Sequence, residues 1–335
     1  MRLNKIAACI FVLGIGFGVS SCSTMEELFP CPEDAVVIPA PFDSIIRNNS
    51  LAINSSESMA IASASFESNI LIYDLTNKKL LKSLDGYITP RNVEFAADGK
   101  SFYISDSSLG VVRQISTEDF TTLNEVDVGQ GAFGFAIRGN TMFVNNQAQD
   151  TVSVVNLDTW EIEHKVDGFA NPRQGIKVGS SGRYVYVTNF KGDDVRVIDT
   201  DSWQVTQVLV GIHGVRAISV SKDETKLYGA SSLTDSIKVV SIRNNQILKT
   251  IPTGKEPYGA TLSADGHLLV TGNKESNSVQ IFDMDNYRLL KTIGGLNEPR
   301  QAIVFSHTPN MIYVLQKDLS IAEINYKSES KTIVR

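Results

Sequence analysis

Four arginines stand at comparable points of the chain. Arg91, Arg173, Arg216 and Arg300 each close a short segment that opens on a glycine: Gly86 to Arg91, Gly168 to Arg173, Gly211 to Arg216 and Gly295 to Arg300. Two further segments of the same kind, Gly129 to Phe133 and Gly254 to Tyr258, end on an aromatic residue instead. A guanidinium offers a planar fork of donors that matches a carboxylate or phosphate through two parallel hydrogen bonds. Brought together, such forks form a site for an anionic group, with Arg91, Phe133, Arg173, Arg216, Tyr258 and Arg300 as candidate members. The competing use is structural. Asp106, Asp150, Asp193, Asp194, Asp235, Glu275 and Asp318 fall in the intervening loops and could pair with the arginines, stitching neighbouring units together. Free guanidiniums converging on one point, or guanidiniums already forked onto these carboxylates, are the geometries that separate the two readings.

Other chemistries find less support. His164, His213, His267 and His307 are scattered one to a unit, without the spacing of metal ligands. There is no C-x-x-C-H run for haem attachment and no G-x-S-x-G elbow. Asp193-Asp194 reads as a hairpin tip with two solvated acids rather than a cation site. No catalytic residue, metal or cofactor is therefore expected. A net charge of −6 also argues against nucleic acid as a partner, because such binding needs basic surface to displace counterions.

The elements that position these residues form a repeat. Residues 171 to 211 read as four short strands in succession, and the pattern recurs. One marker is the tripeptide Ile72-Tyr73-Asp74, followed by those ending at Ser116, Asn156, Asp199, Ser241, Asp283 and Asn325, in steps of 42, 40, 43, 42, 42 and 42. A second marker keeps the same beat at Ile61, Tyr103, Phe143, Tyr186, Tyr228, Leu269 and Tyr313. Units of this length with four strands point to propeller blades. Second and third strands such as Tyr184-Val185-Tyr186-Val187 are apolar on both faces, as sheets covered on both sides must be. Alternation returns in outer strands such as Gln204-Val205-Thr206-Gln207-Val208. Turn chemistry falls between them, at Ala97-Asp98-Gly99 and Ala264-Asp265-Gly266 after first strands and at Asp158-Thr159-Trp160 and Asp201-Ser202-Trp203 after third strands. Trp160 and Trp203 take equivalent places and are expected to wedge between blades.

The expected fold is all-β, a seven-bladed β-propeller of four-stranded antiparallel blades at about 47–86, 87–129, 130–168, 169–211, 212–254, 255–295 and 296–335. The last strand, Lys331 to Val334, completes the seventh unit, so the ring is expected to close by packing between units one and seven. Val36 to Ile38 could add a strand there.

At the N-terminus, Arg2 and Lys5 precede an apolar run from Ile6 to Val19, too short to span a bilayer and of secretory length. It ends Gly18-Val19-Ser20-Ser21-Cys22, which resembles the bacterial lipobox. The resemblance implies a lipoprotein signal peptide over 1–21 and a lipidated Cys22 as the membrane attachment. Several acyl chains hold stably where one is marginal. With Cys9 in the signal and Cys22 lipidated, Cys31 is left without an intrachain disulfide partner. Residues 22–46, with Pro30, Pro32, Pro39 and Pro41, read as a tether. Ser23 resembles outer-membrane sorting, and Glu26 and Glu27 faintly resemble an acidic surface-export tag.

Tyr186-Val187-Thr188-Asn189, Val197-Ile198-Asp199-Thr200, Pro257-Tyr258-Gly259-Ala260 and Ser263-Ala264-Asp265-Gly266 together resemble the YVTN-repeat, YncE-like β-propellers over about 47 to 335. Units two and three depart from the pattern, and the seventh has Gln316 where the motif has Asn. The resemblance implies seven blades and placement outside the cytoplasm, in the cell envelope. By analogy with propellers, the loops carrying the arginines surround the mouth of the central channel. The leading expectation is a lipid-anchored propeller that binds an anionic small molecule or a protein partner there, without catalysis. The alternatives are a propeller enzyme, a lyase or lactone hydrolase acting on an anionic substrate, and an accessory lipoprotein of an outer-membrane uptake system.

Overall fold

The computed structural model describes residues 41–43 and 45–335. Residues 1–21, Cys22, Cys31 and the possible strand Val36 to Ile38 lie outside the described residues. Seven sheets follow one another along the chain, each of four consecutive antiparallel strands, arranged as the blades of a β-propeller. Blade 1 consists of Asn49–Ile53, Met59–Ala64, Ile70–Asp74 and Lys79–Leu84. Burial follows position within the blade. The second strand of blade 2, Ser101–Asp106, is buried throughout, whereas the outer strand Lys79–Leu84 is almost wholly exposed.

The recurring tripeptide has a mechanical meaning. Its last residue caps the turn into the outer strand: Asp74, Ser116, Asn156, Asp199, Ser241, Asp283 and Asn325 each accept a hydrogen bond from a backbone N–H two or three residues on. These are the short side chains that mimic a backbone turn. Each turn then passes through one left-handed residue, at Lys78, Phe120, Trp160, Trp203, Asn245, Tyr287 and Glu329. A side chain in that conformation costs about 1–2 kcal/mol. The large residues recover it by packing. Trp160 lies 6.2 Å from Tyr103 of the preceding blade, and Trp203 lies 6.3 Å from Phe143 and stacks at 4.5 Å on His164. Both tryptophans are wedges between blades.

The apolar side chains gather into seven clusters, one at each junction between successive blades. Each fully buried Ile or Val there contributes roughly 1.5–3 kcal/mol. The junction between blades 7 and 1 is of the same kind, so the ring closes by packing and each blade is made of its own four strands. This seam is thin on the blade 1 side, where Ala60, Ala62 and Ala64 face Leu315, Ile321 and Val334. Polar clasps supplement it. Tyr73 Oη donates to the Leu319 carbonyl at 2.5 Å, the Leu80 N–H donates to the Arg335 carbonyl at 3.0 Å, and Lys78 pairs with Glu323. Glu57 spans the seam with three bonds, accepting from the His307 N–H, Ser306 Oγ at 2.7 Å and Tyr313 Oη at 3.2 Å. Burial, then the neighbouring Glu57, push the Tyr313 phenol up to about 12. Glu224 repeats the device between blades 4 and 5, on Ser181 and Tyr186.

Hydrogen bonds to a charged group contribute about 1.5–3 kcal/mol. Glu57→Ala is therefore expected to lower stability in urea unfolding by about 2–3 kcal/mol, with a loss of the same order for Glu224→Ala. A Glu57→Ala midpoint equal to that of the parent chain would show the seam to be held by packing alone.

Candidate functional site

The first strand of every blade faces the central channel, and the loops entering those strands ring one mouth of it. Acid residues of the second-to-third-strand loops shape this face. Asp150, Asp193 and Asp235 adopt left-handed backbone and accept from the backbone N–H of the next loop, at Asn171 (2.6 Å), Gly214 (2.6 Å) and Glu256 (2.8 Å). Asn277 does the same for Glu298 at 2.9 Å. Asp106 accepts from Ile88 and Thr89. Asp150, Asp193 and Asp235 thus stitch blades together, but through backbone amides, while Asp106 holds the loop entering its own blade. None of them forks onto the four arginines; Asp194 pairs with Arg196 instead.

The arginines divide into two kinds. Arg91 is fully buried. Its guanidinium lies 4.3 Å from the Phe133 ring and donates to Ser107 Oγ, Asn48 Oδ1 and the carbonyls of Ile46, Phe42 and Asp43. It pins the segment before the first strand across part of the mouth. Burial brings its pKa down to about 10, against the pull of Asp43 and Asp106, which leaves it charged at neutral pH. Arg300 is 3% exposed, donates to the Arg47 carbonyl and pairs with Glu298 at 3.2 Å.

Arg173 and Arg216 are different. Arg173 Nε donates to Asn171 Oδ1 at 2.8 Å, and Arg216 Nε donates to Ser232 Oγ at 3.1 Å. The Phe190 ring holds both guanidiniums, at 3.6 and 4.8 Å, and Tyr258 flanks Arg216 at 4.8 Å and Arg300 at 5.3 Å. The planes are fixed by stacking and by Nε. The Nη1 and Nη2 ends of both forks have no hydrogen-bond partner among the described residues. Burial, then the adjacent Arg216 charge, bring the Arg173 pKa down to about 10. An anion between the forks would relieve that repulsion.

These groups border a cavity of about 480 Å³. Around it stand Arg47, Arg173, Arg216, Lys274, Arg300 and Lys317 with the carboxylate of Glu298. Lys274 is paired with Glu256 at 2.7 Å and Lys317 with Glu298 at 2.6 Å. Of the sequence-derived candidates, the structure brings Arg173, Arg216, Tyr258 and Arg300 to this cavity, while Arg91 and Phe133 support it from within. Arg47 and Phe190 are additional members. Phe190 occupies the position directly after the second strand, which in other blades holds Ser65, Ser107, Gln147, Ser232 and Lys274; in blade 7 the equivalent residue, Lys317, stands one place further on. Several of these touch the loop residue of their own blade, as Ser107 touches Arg91 and Ser232 touches Arg216. The period of the repeat pairs the two positions.

Close backbone approach fixes the site further. A Cβ on Gly134 would meet the Gln174 carbonyl oxygen at 2.2 Å, and one on Gly272 would meet that of Arg300 at 2.2 Å. Gln174 and Gln301 also reach toward each other beneath the cavity and form an amide partition. Gln174 Oε1 accepts from Asn48 Nδ2 at 2.7 Å and Gln301 Nε2 at 3.0 Å, and Gln301 Nε2 donates to the Asn49 carbonyl. Beyond this amide partition lies a second chamber of about 480 Å³, lined from all seven first strands. Among the described residues no group of three or more His, Cys, Asp or Glu side chains is placed to hold a metal. His213 sits on the mouth face with Nδ1 against Asp193 Oδ2.

Arg91→Met removes the donors for Asn48 Oδ1 and three carbonyls. It is expected to cost about 3–5 kcal/mol and to open the segment 42–48 to limited proteolysis.

Known proteins supply further context. Residues 204–302, which include His213, Arg216, Tyr258 and Arg300, match the family model described as Lactonase, 7-bladed beta-propeller. No curated protein matches the chain. Among solved structures, Kuenenia stuttgartiensis hydrazine synthase superimposes with a TM-score of 0.71 at 14% identity, covering 92% of this chain and 98% of that one. At that identity the likeness is one of fold, and it places the described chain among seven-bladed β-propellers.

Proposed function

We propose that this chain is a ligand-binding propeller, held at the cell envelope by lipid on Cys22, that takes up an anionic ligand at its channel mouth without transforming it. The observation that carries this reading is the state of Arg173 and Arg216. Each is oriented by an aromatic face and an Nε hydrogen bond, and each turns an unoccupied fork toward a cavity of about 480 Å³. Orienting a fork beforehand lowers the entropy lost on binding. A carboxylate or phosphate meets both stacked guanidiniums with bidentate geometry. Tyr258 stacks beneath Arg216 and gives the cavity its aromatic wall.

A second reading has one observation in its favour. The lactonase family model covers the stretch in which His213, backed by Asp193, precedes Arg216. On that reading His213 acts as a base toward an anionic lactone held by the arginines, since a carboxylate-backed imidazole is a common proton acceptor.

Both readings are separable by experiment. Calorimetric titration with inorganic phosphate and a panel of mono-, di- and tricarboxylates is expected to find a binder that Arg173→Ala and Arg216→Ala each weaken about tenfold or more. Affinities unchanged in both variants would dismiss the mouth as an anion site. Hydrolysis of an anionic lactone that disappears in His213→Gln would replace binding by catalysis. Cys22→Ser is expected to abolish incorporation of labelled palmitate and to release the protein from the membrane fraction.

A further inference from the structure

The chamber on the far side of the amide partition is a separate space with its own chemistry. It measures about 480 Å³, and among the described residues its only titratable wall residues are Glu94, on the first strand of blade 2, and Lys177, on the first strand of blade 4. Among the described residues neither side chain makes a hydrogen bond or an ion pair. Blade 3 stands between their blades; Glu94 is half-buried and Lys177 is exposed to the open end of the chamber. Both line the chamber without a partner, whereas Arg300 is paired with Glu298 and Arg91 is bonded to five oxygen acceptors.

Glu94 is reached by solvent yet enclosed by the ring. That confinement raises its carboxyl pKa, with Lys177 opposing the shift. An enclosed carboxylate without a partner is costly, which marks such a group as a candidate for binding. The chamber therefore offers an acceptor at Glu94 and a donor at Lys177. The rest of the wall is mixed, with Phe135 on blade 3 and Ala217, Ala260 and Ala302 on blades 5 to 7 beside the polar Ser50, Asn92, Ser219 and Thr261.

We propose that this chamber binds a small zwitterion, its ammonium group on the Glu94 carboxylate and its carboxylate on the Lys177 ammonium. The pairing completes each charge with its opposite inside the ring and places the hydrocarbon of the ligand against the alanines and Phe135. The alanines provide the room: larger side chains on blades 5 to 7 would fill the space. The linked amides of Asn48, Gln174 and Gln301 lie between this site and the anion site at the mouth.

The test is a graded series of ω-amino acids: glycine, β-alanine, 4-aminobutanoate and 6-aminohexanoate. n-Butylamine and butanoate serve as single-charge controls. Binding is followed by calorimetry and by shifts in protein NMR resonances. One member is expected to bind with a Kd on the order of 1 mM or below and more tightly than either control. Glu94→Gln and Lys177→Met, which keep side-chain volume, should each weaken it about tenfold. The Arg173→Ala, Arg216→Ala double variant should bind it as the parent does. The proposal is overturned if no member binds better than its amine or carboxylate control, or if Glu94→Gln leaves the affinity unchanged. Unaltered melting temperatures in both chamber variants guard against loss through misfolding.

Discussion

Everything in this molecule depends on blades that cannot bury their own faces. A four-stranded sheet with apolar residues on both sides of its middle strands is unstable alone. Each needs a neighbour on either side, and only closure into a ring satisfies all of them. The seven cores therefore lie between blades, not within them. Each is a sandwich of two sheets, and together they account for the apolar composition of the second and third strands. The turn-capping Asp, Asn and Ser residues, the left-handed turn positions and the tryptophan wedges hold one blade in register against the next.

This arrangement leaves the channel-facing and mouth-facing positions with little to do for stability. The column that follows the second strand shows the effect. It holds Ser65, Ser107, Gln147, Phe190, Ser232, Lys274 and, one place further on in blade 7, Lys317, which are chemically varied although their place in the repeat is the same. Each addresses the loop entering its own blade or the next. Two neighbouring blades, 4 and 5, thereby acquire Phe190 and Ser232, and these two residues turn a pair of arginines into open forks. Blade 2 has Ser107 at the same place, and there the guanidinium turns inward to carbonyls. Chemical difference is thus confined to a few columns of an otherwise uniform scaffold.

The fold was legible because its markers are periodic and local. The tripeptide ending at Asp74 and its six counterparts announced the blades, and the same residues proved to be the turn caps. The site was legible only in outline. Arg91 and Arg300 look like Arg173 and Arg216 in sequence, yet they are consumed by carbonyls of residues 42–47, more than forty residues away from one and some two hundred and fifty from the other. Nothing in the spacing of the arginines reveals that contact. Asp150, Asp193 and Asp235 were correctly placed between blades, but their partners are backbone amides, which carry no residue-type signal. Phe190 could have been found by comparing its column across the units, where it alone is aromatic. Glu94 and Lys177 belong to first strands whose pattern is weak because one side faces open water.

The seam between the first and seventh blades has a kinetic meaning. Every other junction joins segments adjacent in the chain, so it forms at small cost in loop entropy. The Glu57 and Tyr73 contacts join residues about 250 positions apart, and closing a loop of that size comes last and with the largest entropic penalty. A structure assembled in this order opens in the reverse one, at the alanine-faced seam. The ring is then a strap with a buckle, and any force on the segment preceding blade 1, where a tether would pull, acts directly on that buckle.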